Sequence, residues 1–320
     1  MRDWIERIKD RLLLLDVPRG NTLLKGLGVL AVLLALYYPV GMAIVHRVDD
    51  DPAFTAPETA GGSRAVDVAI ALIDREVNIN RWTANDPFFL PGAALDNMPN
   101  FQQGIISALA RFSFELTDQL GRVRGSSSTD PDLQKAAGLL QYPGNVWVWD
   151  PSISWAPTAT SEQQYREALK RLRSYNERLS RGEAIYERRG DNLMATLDRI
   201  ALDLGAASAA LDQRIREGSG LLIDTQADDV FYHVKGQTYA YYLLLKALRA
   251  DFTNVIQEKE LASVWERMLS SMQSAAILDP LIVINAGPDA WIRPSHLAAQ
   301  GFYLLRARTQ LREITNILLK

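Results

Sequence analysis

Gly26 to Val45 reads GLGVLAVLLALYYPVGMAIV, twenty residues without a charge. A helix rises ~1.5 Å per residue, so the run spans roughly 30 Å, the thickness of a bilayer's hydrocarbon core. No second run of this kind occurs in the 320 residues. The spacing predicts a transmembrane helix over residues 21–45 and a single-pass protein with one large water-soluble part. Two other readings fit less well. A buried core helix is seldom so uniformly apolar before it passes straight into polar sequence. A cleaved signal peptide has an apolar stretch of about 7–15 residues and a small-residue cleavage site. Here a long leader precedes the run, and Pro39, Val40, Met42 and Ile44 form no Ala-x-Ala site.

The flanks give the direction. Arg2, Arg7, Lys9, Arg11, Arg19 and Lys25 precede the run, and only Arg47 closely follows it. Lys and Arg are retained on the cytoplasmic side, so the N-terminus is expected in the cytoplasm and the main domain in the periplasm. Tyr37 and Tyr38 suit the outer interface, and Lys25 can snorkel to the inner headgroups. Within residues 1–20, Trp4, Ile5, Ile8, Leu12 and Leu15 recur at helical spacing among charges. That pattern reads as an amphipathic cytoplasmic segment on the leaflet, or else as a frayed tail.

On the other side, residues 46–63 are polar and rich in Pro, Gly and Ala, and read as a flexible linker. Residues 64–320 remain as one extracytoplasmic domain, long enough for a sizeable core. The chain lacks cysteine, which excludes disulfides, thiolate metal sites and a cysteine nucleophile. No basic cluster is dense enough to track a phosphate backbone, so nucleic acid is not an expected partner. The domain reads as all-α. Val66, Ile70, Ile73 and Val77 form one apolar stripe, and a helix follows Asn100 until Gly121 and Gly125–Ser128 break it. Asp130 and Pro131 supply N-cap and N1 chemistry.

Two long stripes come next: Tyr165, Leu169, Leu172, Tyr175 and Leu179, then Leu193, Leu197, Ile200, Leu204, Ala207 and Leu211. With Gly190 and Asp191 between them as C-cap and N-cap, they read as a long antiparallel helical hairpin over 161–217 with a coiled-coil-like seam, ended at Gly218–Gly220. That seam is either an interaction arm or internal packing. Asp228 or Asp229 can cap the aromatic helix that follows. A further helix is expected from Val255 to Leu278, and a last one from Ser295. At most a small β-ribbon is expected, near 146–149 and 281–284.

The constellations that could carry chemistry are few. Trp147, Trp149 and Trp155 flank Asp150-Pro151. They are candidate binding residues, forming an aromatic platform for a glycan or a partner protein, or else a loop that plugs helix ends. Asp229 and His233 are helical neighbours and could be metal ligands or a base with its orienting carboxylate, but no nucleophile context accompanies them. No metal or other cofactor is expected. Phe231, Tyr232, Tyr239, Tyr241 and Tyr242 cover more than one helix face, as in a helix buried between neighbours.

Glu115 lies on an apolar helix, which would raise its pKa and suit a general acid. Gly138-Leu139-Leu140-Gln141 resembles the Gly-Leu-Met-Gln string of soluble lytic transglycosylases, and Asn285-Ala286-Gly287-Pro288 resembles their Asn-Ala-Gly-Pro string. Leu116 stands where that family has Ser, and the two strings lie much farther apart here. Glu115 is the one acid that resemblance nominates. Asn285–Asp289 is more simply a turn.

A resemblance over nearly the whole chain rests on other segments. Pro99–Gly104, Gln141–Trp147 and His296–Arg308 resemble a family of proteobacterial inner-membrane proteins catalogued as domain of unknown function 2333. That resemblance implies no reaction and no catalytic residue. The expected function is therefore a membrane-anchored periplasmic adaptor or scaffold of a cell-envelope assembly, with the bilayer and another envelope protein as partners and self-association left open. The alternatives are a membrane-tethered cell-wall hydrolase using Glu115 and a glycan-binding module using the tryptophan loop.

Overall fold

The computed structural model describes residues 22–121, 129–149, 155–218, 224–286 and 294–320. The expected amphipathic segment at 1–20, the breaker at 125–128, Ser219-Gly220 and the turn residues 287–289 lie outside them. The chain divides into a first unit ending at Ile44 and a second running from Val45 to Lys320. The first contains α1 (Thr22–Val45), whose Lys25–Val45 portion is long and apolar enough to cross a membrane. Its large side chains are exposed, including Leu27, Val32, Leu34 and Ile44. Pro39 lies inside it and removes one backbone donor, which a membrane-length helix tolerates when nearby groups compensate.

The second unit is an all-α bundle. Among the described residues it has no strand, only an isolated bridge between Asn285 and Ser295. Its helices are α2 (Arg64–Asp74), α3 (Asn97–Glu115), α4 (Pro131–Leu140), α5 (Ser161–Ser180), α6 (Gly190–Gly218), α7 (Thr225–Asp251), α8 (Thr253–Glu258), α9 (Ala262–Ala276) and α10 (His296–Leu318). α7 is buried around most of its circumference, as the aromatic run predicts. It packs on α3 most extensively, and also on α2, α6 and α9.

Glycines allow the central crossing. A Cβ on Gly104 would lie 2.0 Å from the carbonyl oxygen of His233, and one on Gly236 would lie 2.0 Å from that of Phe101. The two main chains therefore touch, and any side chain at either position would push them apart. α2, α4 and α5 associate on the strength of contacts between α2 and α5, α4 and α5, and α3 and α4. α6, α9 and α10 form a second group, α10 packing on both others. Asp251 at the end of α7 pins the start of α2: it accepts from Ser63 Oγ at 2.7 Å, Arg64 N at 2.8 Å and Ala65 N at 3.0 Å. A carboxylate at a helix N-terminus also meets the positive end of the helix dipole.

The hairpin expectation needs correction. α5 and α6 exist, but they do not pack along one another: α5 lies on α2 and α4, and α6 on α7 and α10. Their stripes, Tyr165 to Tyr175 and Leu193 to Leu211, are buried there and not offered to a partner. The reason lies in the connection. α5 ends near Gly182, which has φ 75°, rather than at Gly190. The loop that follows is anchored in the body, with Glu187 N donating to Leu120 O at 2.8 Å and the buried Tyr186 hydroxyl donating to Asp251 at 3.2 Å. It leads the chain away from α5. Two smaller boundaries also differ. α7 starts one turn early, capped by Asp224 rather than Asp228 or Asp229, and the helix expected at 255–278 breaks at Glu260, where φ is 53°.

Residues 46–63 do not run free as a linker. Val48 and Phe54 pack against the core, and Ala56 is buried. Three consecutive acids engage the body. Asp49 pairs with Arg75 at 3.4 Å, Asp50 with Lys235 at 2.8 Å, and Asp51 O accepts from Tyr239 at 2.9 Å. Composition alone marks this stretch as loop. Its acids nonetheless find two buried cations, so it lies on the body as a strap.

Candidate functional site

An exposed aromatic surface is built from two loops. In the first, Thr83–Pro91, turn bonds from Asp86 N to Thr83 O at 3.1 Å and from Leu90 N to Pro87 O at 2.8 Å project Phe88 and Phe89 outward. In the second, Pro143–Trp149, the main chain is clamped to the start of α5. Val146 N donates to Ser161 Oγ at 3.0 Å, and Ser161 Oγ donates to Pro143 O at 2.7 Å. Thr158 N donates to Val148 O at 2.9 Å, and its hydroxyl donates to Trp147 O at 3.0 Å. Asn85 joins the loops: its buried amide donates to Val146 O and to Glu162, both at 2.8 Å. Beneath them, Trp82 donates to Gly144 O at 2.8 Å and meets Tyr165 edge-on.

The backbone fixed in this way carries Trp147 and Trp149, and Trp155 precedes Thr158 on its other side. Trp147 is half-buried against Phe89, ring centroids 5.6 Å apart at 74°, and Phe89 meets Phe88 at 5.5 Å. Trp149 and Trp155 sit 6.3 Å apart at 56°. Phe88 is 83% exposed, Trp155 81%, Phe89 47% and Trp149 46%. Burying a large apolar side chain is worth about 1.5–3 kcal/mol; Phe88 and Trp155 forgo most of that gain, Phe89 and Trp149 about half. Exposed apolar surface of this kind marks an interaction site more often than a structural one. The sequence nominated Trp147, Trp149 and Trp155, but it missed Phe88 and Phe89. Their signal was present, since two adjacent aromatics between Pro87 and Pro91 cannot both turn inward from a short loop.

The other nominated residues are not gathered with these. Glu115 is buried on α3, 3.8 Å from Arg199. Burial raises its pKa, while Arg199 and Arg111 oppose the shift. Leu139, Leu140 and Gln141 close α4, and Asn285 donates to Arg214 O at 3.0 Å and to Asp224 at 3.1 Å, as a fold-holding residue would. Asp229 and His233 share a shallow groove with Ser107 and Asp203. Asn100 donates to Asp229 at 2.7 Å. Burial raises the Asp229 pKa, helped by Asp96, and lowers that of His233. Among the described residues, no three His, Asp or Glu side chains converge as a metal site.

The sequence pattern of a bacterial family described as "Uncharacterized protein conserved in bacteria (DUF2333)" matches residues 43–220 and 223–320. The chain belongs to the DUF2333 family. No curated protein matches it, and no solved structure does. The DUF2333 match covers the strap, both aromatic loops and every helix of the body.

The DUF2333 body also holds a buried charged cluster that sequence reasoning missed. Arg75 and Glu76 lie on a π-turn, Arg75–Ile79, that continues α2. Such turns recur at functional sites. Glu76 is fully buried, and burial raises its pKa, while Arg75 at 2.7 Å pulls it down. Gln102 bridges the cluster to the aromatic loop, donating to Arg81 O at 2.9 Å and accepting from Thr83 N at 3.1 Å. Lys235 on α7 is fully buried, with Asp50 on one side and Asp279 at 3.7 Å on the other. The signal available was a cation on each of two buried helical stretches, Arg75 after VAIALID and Lys235 within VFYHVKGQTY, with three acids in a row at 49–51.

Proposed function

We propose that this protein is a membrane-anchored, non-catalytic adaptor of the bacterial cell envelope. In this reading α1 is an uncleaved anchor, its preceding basic residues stay in the cytoplasm, and the helical body faces the periplasm. The contact surface is the aromatic ridge of Phe88, Phe89, Trp147, Trp149 and Trp155, and another envelope protein is its partner. The exposure of Trp149 and Trp155, beside main chain clamped at Val146, Trp147 and Val148 by Ser161, Thr158 and Asn85, supports this reading. Rigid aromatic side chains give large contact area at low entropic cost, which is why they dominate binding hot spots. Glu115 is buried and paired with Arg199, which supports the adaptor reading over the hydrolase one.

Crosslinking in intact membranes tests the proposal. A photoreactive residue at position 155 should capture a discrete envelope protein, and adding Trp149→Ala should sharply reduce capture without changing the unfolding midpoint. A photoreactive residue at position 166 on α5 serves as a control that should capture less. Equal capture from both positions would remove the ridge from the proposal. Retention of the ridge variants on purified peptidoglycan at less than wild-type level would favour the glycan reading, since Trp149 and Trp155 offer two ring faces. Release of the intact chain by alkaline carbonate would remove the anchor.

A further inference from the structure

A groove of about 650 Å³ runs beside the strap, with Arg47, Asp49 and Phe54 on one wall and Ile70 and Ala71 of α2 on the other. Arg75 lines it and is 4% exposed. Its Nε donates to Glu76 at 2.7 Å, and its Nη1 donates to the Tyr239 hydroxyl at 3.0 Å. The guanidinium sits 4.9 Å from the Phe54 ring and 5.2 Å from the Tyr239 ring. Its remaining nitrogen, Nη2, is buried and has no hydrogen-bond partner. Leaving such a donor unmet costs about 1–3 kcal/mol.

A guanidinium fork gives two parallel bonds to a single oxyanion. Asp49 reaches only one arm, and at 3.4 Å. Its side chain is 42% exposed and sits on the strap rather than on a helix. Arg47, at the rim, makes no ion pair among the described residues. With Asp49 moved aside, Arg75 and Glu76 balance one another, Asp74 pairs with Arg173 at 2.9 Å and Asp67 with Arg64 at 3.3 Å, so Arg47 and the exposed Glu177 are the remaining charges of the lining and the open arm of Arg75 is its unmet donor.

We propose that this groove binds an amphipathic oxyanion, a phosphate or carboxylate carried on an apolar chain, whose head displaces Asp49 and takes both arms of the Arg75 fork. The apolar chain lies along Phe54, Ile70 and Ala71. Binding and the seating of the strap are thereby coupled, because Asp49 and the ligand compete for one cation. This inference does not depend on the aromatic ridge.

The test is calorimetric titration of the full-length protein in dodecyl maltoside with dodecyl phosphate, inorganic phosphate and dodecanol. Dodecyl phosphate should saturate at one per chain, with inorganic phosphate at least about tenfold weaker and dodecanol silent. Asp49→Asn removes the internal competitor and should tighten dodecyl phosphate binding by about three- to tenfold, whereas Arg75→Lys should weaken it by about tenfold or more. Ala71→Trp fills the groove without altering charge and should abolish binding while the protein stays folded. That variant and Asp49→Asn keep the test valid if Arg75→Lys does not fold. Competition by phosphatidylglycerol but not phosphatidylcholine would identify a membrane lipid as the source of the head, and its absence a soluble amphiphile. Uptake that never saturates, equal affinity for inorganic phosphate, or binding unmoved by both Asp49→Asn and Ala71→Trp would overturn the proposal.

Discussion

Two aromatic-rich regions of this protein have opposite fates. On α7, Phe231, Tyr232, Tyr239, Tyr241 and Tyr242 are all buried. Three of their hydroxyls have partners: Tyr239 with Asp51 O, Tyr241 with Asp203, and Tyr242 with Pro52 O at 3.4 Å. At the ridge, the rings are phenylalanine and tryptophan, and they turn toward solvent. The helix aromatics combine apolar bulk with a tyrosine hydroxyl that reaches polar atoms at the edge of the core. At the ridge the hydrogen bonds go to the main chain at Val146, Trp147 and Val148, and the rings of Trp149 and Trp155 stay largely on the surface. Aromatic content alone does not separate the two regions; the direction of backbone support does.

The contrast can be broken from the α7 side first. Gly236→Val drives a side chain into the main chain of α3 at Phe101 and should cost more than ~3 kcal/mol, abolishing cooperative thermal unfolding of the body. A near wild-type melting curve would show that the crossing has slack. Tyr241→Phe strands one bond of Asp203, which keeps Gln237 at 3.2 Å, and should lower stability by ~1 kcal/mol in urea denaturation. A loss above ~3 kcal/mol would mean that the hydroxyl network, not ring burial, holds α7.

A pH titration sharpens the comparison at the start of α7. Burial lifts the Asp228 pKa to about 6, with Asp96 and Asp229 adding to the shift. The folded state therefore holds this proton more tightly than the unfolded chain does. The stabilisation is complete below the ordinary aspartate range and is lost as the pH rises through about 6. Asp228→Asn should flatten that part of the stability profile and raise the melting temperature at neutral pH. An unchanged profile would remove Asp228 as its source. The smallest effect belongs to the ridge. Trp155→Ala should alter stability by no more than ~0.5 kcal/mol, because a ring 81% exposed contributes little burial. A larger loss would place Trp155 among the structural aromatics.

Much of this fold is legible in the sequence because its signals are local. The uncharged run at 26–45 needs only composition to be read as a membrane-length helix. Asp130 and Pro131 start α4, and Ser295 caps α10, as their side-chain chemistry demands. Asp228 and Asp229 read as the start of α7 because Val230 and Phe231 follow them, whereas contacts with Arg214 and Asn285 that only the fold supplies favour Asp224. The α5 and α6 stripes show that each helix has an apolar face, but spacing names no partner for it. The Gly104–Gly236 crossing leaves no trace until both helices are in place. For the site, the tryptophans advertised themselves. Arg75, Glu76 and Lys235 did not, because a buried charge is recognisable only once its counter-charge is seen nearby.

The strap has a mechanical corollary. Tension applied at residue 46 would not stretch a slack tether; it would load the Asp49–Arg75 and Asp50–Lys235 contacts in turn, nearest first. Such attachments peel rather than shear, and peeling gives way at low force. Pulling experiments should therefore show a small early step, the release of a few residues, well before the helices of the body yield.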